Sequence, residues 1–279
     1  MAELLNVSQS SVGRITRKVC SKPFKMVKTT HDTETKRRKR ERIAGEVLQM
    51  YAGGMRSKRI FWSDETWVDK DTCKRWNPQN DRRYYPKGTA KDAVLDDLRA
   101  PLRQRSAGVM VHITVSSARQ GVVLKPHFVD PKKTMTAEYY VSMLTTDVFP
   151  QISTIVGEGS FWWQQDLASP HTAKITTAYL AERSVMVAPW LPCGADVSPL
   201  DIYVNPELKK RLDGKDLESP EKIMAETAKA LAEMGADEAF LKGLNKCCRG
   251  IKRRMQYVAA NGGKICAKSL LAKWSGKDE

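Results

Sequence analysis

Short apolar runs separated by turn residues begin at Arg59 and continue through the middle of the chain. Runs of this kind, rich in β-branched and aromatic side chains, are typical of β-strands. The predicted strands are Ile60-Phe61-Trp62 ending at Asp64, 107–116, 121–129, 161–165 ending at Asp166, and 185–188. The turn residues Arg119-Gln120-Gly121 join the second of these strands to the third and predict a hairpin.

Helical spacing of apolar residues alternates with the later strands. One set recurs at this spacing after Thr136: Tyr139, Tyr140, Met143, Leu144 and Val148. Thr136 is expected to cap this helix and Pro150 to end it. Further helices are predicted over 171–183 and from Pro199. Because a hairpin comes first and strands then alternate with helices, we expect an α/β domain over 58–212, a mixed sheet flanked by helices, followed by a basic helical part over 213–279.

The first 20 residues have the pattern of two short helices around a turn, which favours a helix-turn-helix segment. Ser8 is placed to cap the second helix, whose outward residues would meet base edges and phosphates. These residues are Gln9, Ser10, Arg14, Arg17 and Lys18. An ordinary helical hairpin is the alternative. Since the chain starts at Met1 inside the motif, we expect this all-α binding segment to be truncated.

Residues 21–57 carry few large apolar side chains and are predicted to form a basic linker. A dense run within it contains Lys36, Arg37, Arg38, Lys39 and Arg40. Such a run contacts a phosphate backbone, serves as a nuclear import signal, or forms a solvated helix face leading into Ile43, Val47 and Leu48. The pattern alone does not choose among these.

Charge and length narrow the class of protein. The chain has 279 residues, with 47 Lys and Arg against 32 Asp and Glu and a formal net charge of +15 at pH 7. This surplus indicates a polyanionic partner, most simply nucleic acid. No apolar run is long enough to span a membrane, and no apolar signal region opens the chain, so an intracellular protein is expected. Six cysteines without a CxxC pair indicate reduced thiols.

Three carboxylates stand at the ends of predicted elements: Asp64 after the first strand, Asp166 after the fourth, and Asp201 at the start of a helix. Brought together at one sheet edge, they would repel one another unless a divalent cation bound between them. Oxygen ligands favour Mg²⁺, with Mn²⁺ as the alternative. Glu65 adjoins Asp64 on the strand, so its side chain is expected on the opposite face.

Each carboxylate also has a structural interpretation. Asp at a strand end often only turns the chain or meets water. For Asp201 this alternative is strong, because Ser198-Pro199-Leu200-Asp201 has the form of a helix cap with a favourable acidic residue in the first turn. Asp69 and Asp196 compete as third ligands. Spacing without a template therefore leaves the third position open.

The residues around the three carboxylates resemble the catalytic blocks of mariner-type transposases, in the Tc/mariner superfamily. The blocks are FWSDETW, WWQQDLASPHTA and LPCGADVSPLDIYVNPELKKRL, and the tail IKRRMQYVAANGGKI is similar to the family's C-terminal segment. Between Asp166 and Asp201 lie 201 − 166 − 1 = 34 residues, the spacing of the mariner branch. The resemblance covers most of the chain and raises Asp201 above its capping interpretation.

The resemblance implies a ribonuclease-H-like catalytic domain with Asp64, Asp166 and Asp201 as the metal-binding catalytic residues. It implies Mg²⁺-dependent excision of a DNA element at its inverted repeats and joining to TA target sites by a homodimer, in the nucleus. His171 resembles the histidine of the second block, where it would orient metal or DNA; a locally packed histidine is the alternative, and its place at a helix start predicts a neutral ring. The segment 71–100 occupies the place of the family's dimer clamp loop.

Some positions depart from the family pattern. Leu167 stands where Asn is usual, Gly194-Ala195-Asp196-Val197 replaces Ser-Pro-Asp-Leu, and His112 stands where Trp is common. The leading hypothesis is a cut-and-paste DNA transposase. The alternatives are a catalytically silent or domesticated descendant that acts as a nuclear DNA-binding protein, and a host metal-dependent nuclease on the same fold. Trp162 and Trp163 are expected in the core rather than stacked on bases.

Overall fold

The computed structural model describes residues 24–25, 33–70, 82–83, 85–89, 108–157 and 159–264. The chain divides into two compact units, one of 1–32 with 75–104 and one of 33–74 with 105–279. In the first unit, strands β1 (Phe24–Lys25) and β3 (Arg82–Arg83) form an antiparallel pair. The helix-turn-helix prediction over 1–20 lies outside the described residues, as does most of the proposed clamp loop.

The second unit is built on a six-stranded mixed sheet. Its strands are β2 (Ile60–Asp69), β4 (Gly108–Ser116), β5 (Val122–Val123), β6 (His127–Phe128), β7 (Trp162–Gln164) and β8 (Met186–Ala188). The order is β5-β4-β2-β7-β8, with β6 also paired to β4. The β2–β4 and β4–β5 pairs are antiparallel, whereas β2–β7 and β7–β8 are parallel. The predicted hairpin followed by parallel strands is confirmed.

Alternate residues of β2 enter two separate cores. Ile60 and Trp62 belong to one buried cluster, and Phe61 belongs to the other. Trp163 of β7 is fully buried in the second cluster, as predicted, and Trp162 is partly buried against the first. Because side chains alternate across a strand, the sheet is covered on both faces. β2 is therefore packed on both faces of the sheet. The sequence predicts that this strand ends at Asp64, whereas in the structure it extends five residues further, to Asp69.

The helices are α1 (Glu34–Ala52), α2 (Ala137–Met143), α3 (Phe149–Val156), α4 (Ser169–Thr172), α5 (Lys174–Glu182), α6 (Asn205–Leu212), α7 (Pro220–Ala236), α8 (Glu238–Arg249) and α9 (Ile251–Ala260). Thr136 caps α2 as predicted, its Oγ1 accepting a hydrogen bond from Tyr139 N at 3.2 Å. Pro150, however, does not end this helix. A π-helical turn over Leu144–Val148 connects α2 to α3. Pro150 lies in the first turn of α3, where its missing N–H is tolerated.

The structure differs from the predicted linker over 21–57, since residues 34–52 form α1 and pack against α9. Thr33 caps α1, and Ile43, Ala44 and Val47 enter the first core cluster. The segment carries few large apolar residues, but they recur every three or four positions, which places them on one face of α1. The described helices include none that is long and apolar enough to cross a bilayer.

Candidate active site

Asp64 lies in the middle of the sheet, on the strand with partners on both sides. It faces Ile113 across the antiparallel β2–β4 pair. The neighbouring Ser63 donates a hydrogen bond of 2.7 Å from Oγ to the carbonyl of Gln164, which ties β2 to β7. Antiparallel pairing with β4 fixes the backbone at Asp64, and the Ser63 hydrogen bond fixes the residue before it against the end of β7.

Asp166 follows β7 at the level of Asp64. In the parallel β2–β7 pair, Trp62 lies opposite Gln164; Asp64 comes two residues later on β2, and Asp166 comes two residues after the end of β7. Asp166 Oδ1 accepts a hydrogen bond from Ala168 N at 2.9 Å and lies 2.6 Å from His171 Nδ1. Because neighbouring strands are about 4.8 Å apart, this register brings the two acids to adjacent positions at the sheet edge.

Asp201 reaches the same place from the start of a helix. It lies in a wide turn over Leu200–Val204 that leads into α6, and Ser198 Oγ accepts a hydrogen bond from Leu200 N at 3.2 Å. Asp64, Asp166 and Asp201 all line one open pocket of about 530 Å³. Asp69 and Asp196, the competing candidates, do not line this pocket. The capping serine and the acidic pocket thus coexist, because the cap fixes the turn that carries Asp201.

The pocket carries the electrostatic cost of gathered carboxylates. Burial, together with the charges of Asp201, Glu65 and Asp166, raises the pKa of Asp64 to about 8. At Asp166, burial acts in the same direction, but hydrogen bonds from His171 and Ala168 outweigh it and lower the pKa below the ordinary value. The pocket therefore holds one ionised carboxylate beside one that retains a proton near neutral pH, and a cation would favour ionisation of both.

The donor chemistry fits a hard divalent cation, since carboxylate oxygens converge on one pocket. Within the described ranges, however, no group of three or more His, Cys, Asp or Glu side chains stands close enough to hold a metal ion. The three acids thus share a pocket without forming a closed ligand set. Side-chain movement at the pocket would be required for all three to reach one ion.

His171 is buried behind Asp166, and its ring packs against Tyr140 with centroids 4.2 Å apart. Its carbonyl accepts a hydrogen bond of 2.8 Å from Gln165 Nε2, which fixes the α4 backbone. The expectation of a neutral ring is wrong. Burial lowers the pKa, but the hydrogen bonds with Asp166 and Glu65 outweigh it and raise the pKa to about 9. The helix start was the only influence visible in the sequence, and two carboxylates overrule it.

Glu65 and His112 form a second layer that the sequence did not reveal. Glu65 faces His112 across the β2–β4 pair, and its Oε1 lies 3.3 Å from His171 Nε2 and 3.8 Å from His112 Nε2. Burial raises the pKa of Glu65, but the contacts with His171 and His112 outweigh it and lower the pKa. Burial lowers the pKa of His112 to about 4, so that ring is neutral. Glu65 thus holds His171 from behind; strand alternation placed Glu65 on that face, but no local signal placed His171 there.

Comparisons with known proteins match this architecture. The catalytic domain of Mos1 mariner transposase superposes with a TM-score of 0.62 at 17% identity, covering 86% of this chain and all (100%) of that domain. The chain has the fold of a mariner transposase catalytic domain. The Mos1 paired-end complex with the left transposon end gives a TM-score of 0.65 at 20% identity over 95% of this chain and 73% of that chain. The Mos1 mariner paired-end complex with Mn gives 0.65 at 21% identity, over 94% and 73%.

No protein-family model matches the sequence, and no curated protein does. The mariner fold is thus visible in the structure at identities too low for those sequence comparisons. The sheet flanked by helices is ribonuclease-H-like, as expected from the residues around the three carboxylates. Leu167, one departure from the family pattern, lines the pocket with 43% of its surface exposed. An apolar side chain therefore stands at the pocket mouth where the mariner pattern has an amide.

The basic run predicted to contact DNA divides into two kinds of residue on α1. Arg38 is exposed and pairs with Glu34 at 3.1 Å. Arg40 is only 3% exposed, and its Nε donates a hydrogen bond of 2.7 Å to the carbonyl of Gly263. Arg40 thus joins α1 to the end of α9, which corrects its assignment to phosphate contact. The predicted contacts of Gln9, Ser10, Arg14, Arg17 and Lys18 fall outside the described residues.

Proposed function

We propose that this chain is a mariner-type DNA transposase that cleaves phosphodiester bonds and joins DNA ends with divalent metal. One observation carries the proposal: Asp64 on β2, Asp166 just after the adjacent parallel strand β7, and Asp201 all line one pocket, in a fold that matches Mos1. The interval between Asp166 and Asp201 supports the Asp-type third ligand.

Asp64, Asp166 and Asp201 would hold the ions. Mg²⁺ or Mn²⁺, when bound, supplies activation of an attacking oxygen and stabilisation of the leaving oxygen in phosphodiester chemistry. One of the matched Mos1 complexes contains Mn. His171 and Ala168 N both act on Oδ1 of Asp166, so they restrict its rotation and direct the other oxygen toward the pocket. Glu65 keeps His171 in place through the opposite ring nitrogen.

The DNA partner is proposed from charge and from the matched complexes. The +15 net charge favours a polyanion, and a matched Mos1 complex holds a transposon end. We propose double-stranded inverted-repeat ends as substrate, TA sites as target, a homodimer as the working assembly and the nucleus as the compartment. Gln9, Ser10, Arg14, Arg17 and Lys18 would contact the ends, together with Lys36, Arg37, Arg38 and Lys39 of the basic run.

Metal-dependent nicking of a supercoiled plasmid that carries the cognate inverted repeats tests the proposal. The wild-type chain is compared with Asp166→Asn in Mg²⁺, Mn²⁺ and EDTA, with binding to the same DNA measured in parallel. Asp196→Asn is the matched control, because Asp196 is an exposed acid of the same loop region that does not line the pocket. We expect Asp166→Asn to abolish nicking and retain binding, while Asp196→Asn retains both.

The competing function is that of a silent descendant that binds DNA without cutting it. The matches to Mos1 transposase structures do not favour this alternative, and the nicking experiment decides it. Binding by the wild-type chain without nicking in either metal would establish this alternative. Nicking that survives Asp166→Asn would instead contradict the site.

A further inference from the structure

A second concave surface lies beside the start of β2, before the residue of that strand that carries a carboxylate. A cavity of about 430 Å³ opens between the segment before β2, the turn after β4, and helices α8 and α9. A smaller cavity of about 190 Å³ adjoins it and shares Lys58 and Arg119 in its wall. Six cations line the pair, which we call the basic cleft: Arg56, Lys58, Arg59, Arg119, Arg249 and Lys252.

The basic cleft gathers positive charge on exposed side chains. The described residues that line it include no Asp or Glu, and Arg56, Lys58 and Lys252 form no ion pair with any described carboxylate. All three are exposed. Neutral donors lie among them, including Ser57 and Asn245. Gathered like charges repel, so this arrangement costs free energy in the isolated chain and gains it with an anion.

The cleft is held rigid by the turn after β4. Arg119 and Gln120 both adopt positive φ, at 47° and 71°. Gly121 follows with φ 130°, and a Cβ there would lie 2.8 Å from the carbonyl oxygen of Leu241 on α8. The turn therefore packs directly on the helix that carries Asn245 and Arg249. Arg119 Nη2 also donates to the carbonyls of Thr154 and Ile155, which fixes the guanidinium at the rim.

The basic cleft is separate from the carboxylate pocket. β2 begins at Ile60, four residues before Asp64, which at about 3.3 Å per residue is roughly 13 Å, and Lys58 lies in the short helical turn that precedes the strand. The two pockets share no lining residue. A ligand in the cleft therefore does not touch the reacting atoms.

We propose that the basic cleft binds the phosphodiester backbone of duplex DNA at a distance from the carboxylate pocket. The cations extend through two adjoining cavities rather than encircling one point, which suits consecutive phosphates better than one compact anion. Lys and exposed Arg on a surface of this kind supply sequence-independent affinity. The inference rests on the proposed function only for the identity of the ligand as DNA.

Salt-dependent binding tests the cleft. Arg56→Gln, Lys58→Gln and Lys252→Gln are combined in one variant. The matched control combines Lys132→Gln, Lys133→Gln and Lys229→Gln, three exposed lysines outside both the cleft and the carboxylate pocket. Affinity for a labelled duplex of random sequence is measured by fluorescence anisotropy over a KCl series, with EDTA present so that cleavage does not contribute. Circular dichroism checks that both variants fold.

We expect the cleft variant to flatten the slope of log K against log salt by about 2 to 3 and to weaken binding about 10-fold or more at low salt. The control variant should keep the wild-type slope within about 1. An unchanged slope in the cleft variant, or an equal loss in both variants, overturns the inference. A further result would also overturn the inference: ATP binding that is lost in the cleft variant while duplex binding is unchanged. That result would indicate a small-molecule phosphate site.

Nicking with Mn²⁺ on the same proteins separates this inference from the proposed function. If the wild-type chain binds with a steep salt slope, the cleft variant has a flatter one, and neither protein nicks DNA, the result supports the cleft and contradicts the transposase proposal. Chain that nicks while the cleft variant keeps the wild-type slope contradicts the cleft alone. Absence of any duplex binding by the wild-type chain contradicts both.

Discussion

The carboxylate pocket lies beside the middle of β2 and the basic cleft lies beside its start, and the two gather charge of opposite sign. The pocket concentrates partly buried acids on a sheet fixed by backbone pairing, and the strain appears as a pKa of about 8 at Asp64. The cleft distributes exposed cations around a packed turn, where water screens them. The partly buried acids of the pocket thus need a specific cation between them, whereas the exposed cations of the cleft suit an extended polyanion that binds without sequence specificity.

The largest expected effect comes from removing one carboxylate of the pocket. Asp64→Asn removes both a proposed ligand and a carboxyl group whose pKa is raised to about 8 by burial and by the neighbouring acids. We expect nicking to fall about 10³-fold or more, as for loss of an essential metal ligand. In EDTA the variant should unfold at a higher temperature than wild type, and Mn²⁺ should raise the Tm of the wild type only.

Differential scanning fluorimetry with and without Mn²⁺ makes this measurement, and Asp196→Asn again serves as the control. A wild-type Tm that Mn²⁺ leaves unchanged, or an equal rise in Asp64→Asn, would mean that the carboxylates do not bind the ion together.

The next effect separates buried from exposed charge within the basic run of α1. Arg40→Met leaves the Gly263 carbonyl without its donor at a site that is 3% exposed. We expect a loss of about 2 to 3 kcal/mol in the free energy of unfolding. Arg38→Met removes an exposed pair with Glu34 and should cost less than about 0.5 kcal/mol.

Urea denaturation of both variants measures these losses, and equal losses would contradict the distinction. DNA binding should follow the reverse order, because exposed Arg38 is open to a phosphate and buried Arg40 is not.

A smaller effect tests how His171 supports the pocket. His171→Gln removes the partner of Asp166 and Glu65 and should lower nicking about 10- to 100-fold, as expected for a group that orients a ligand. The control is His127→Gln, since His127 contacts Asp147 at the same 2.6 Å distance outside the pocket.

Because His171 is a positioning residue, the Mn²⁺ concentration for half-maximal activity should rise in His171→Gln and stay constant in His127→Gln. A lower Tm with unchanged metal dependence would reduce His171 to a packing role.

The smallest effect tests the rigidity of the basic cleft. Gly121→Ala places a methyl group against the Leu241 carbonyl oxygen at a positive φ, and we expect a loss of about 1 to 2 kcal/mol together with weaker duplex binding. Gly54→Ala has a positive φ of 103° but no atom within 4 Å. It should cost about 1 kcal/mol or less and leave binding unchanged. Thermal unfolding and the anisotropy series distinguish the two.

Strand positions were the part of the fold most accessible from sequence. Alternating and continuous apolar runs placed β2, β4 and β7 where the structure has them, because a strand in a covered sheet must bury its side chains. Pro150 was interpreted wrongly, since a proline ends a helix only where its N–H is needed, and the wide turn before it removes that need. Residues 34–52 are predicted as linker from their charge density, but the structure has the alternative that the pattern also allows, a helix face leading into Ile43, Val47 and Leu48.

At the site, the sequence by itself singled out Asp64, Asp166 and Asp201, although Asp64 lies within β2 rather than at its end. Their strand and helix positions follow from local patterns, and the order and interval of the motifs singled out Asp201 among its competitors. The tertiary structure decided their meeting in one pocket, the protonated state of His171, the role of Glu65 and the existence of the basic cleft. These depend on register and packing between segments far apart in the chain, and no local pattern of residues encodes the electrostatic field that distant segments create where they meet.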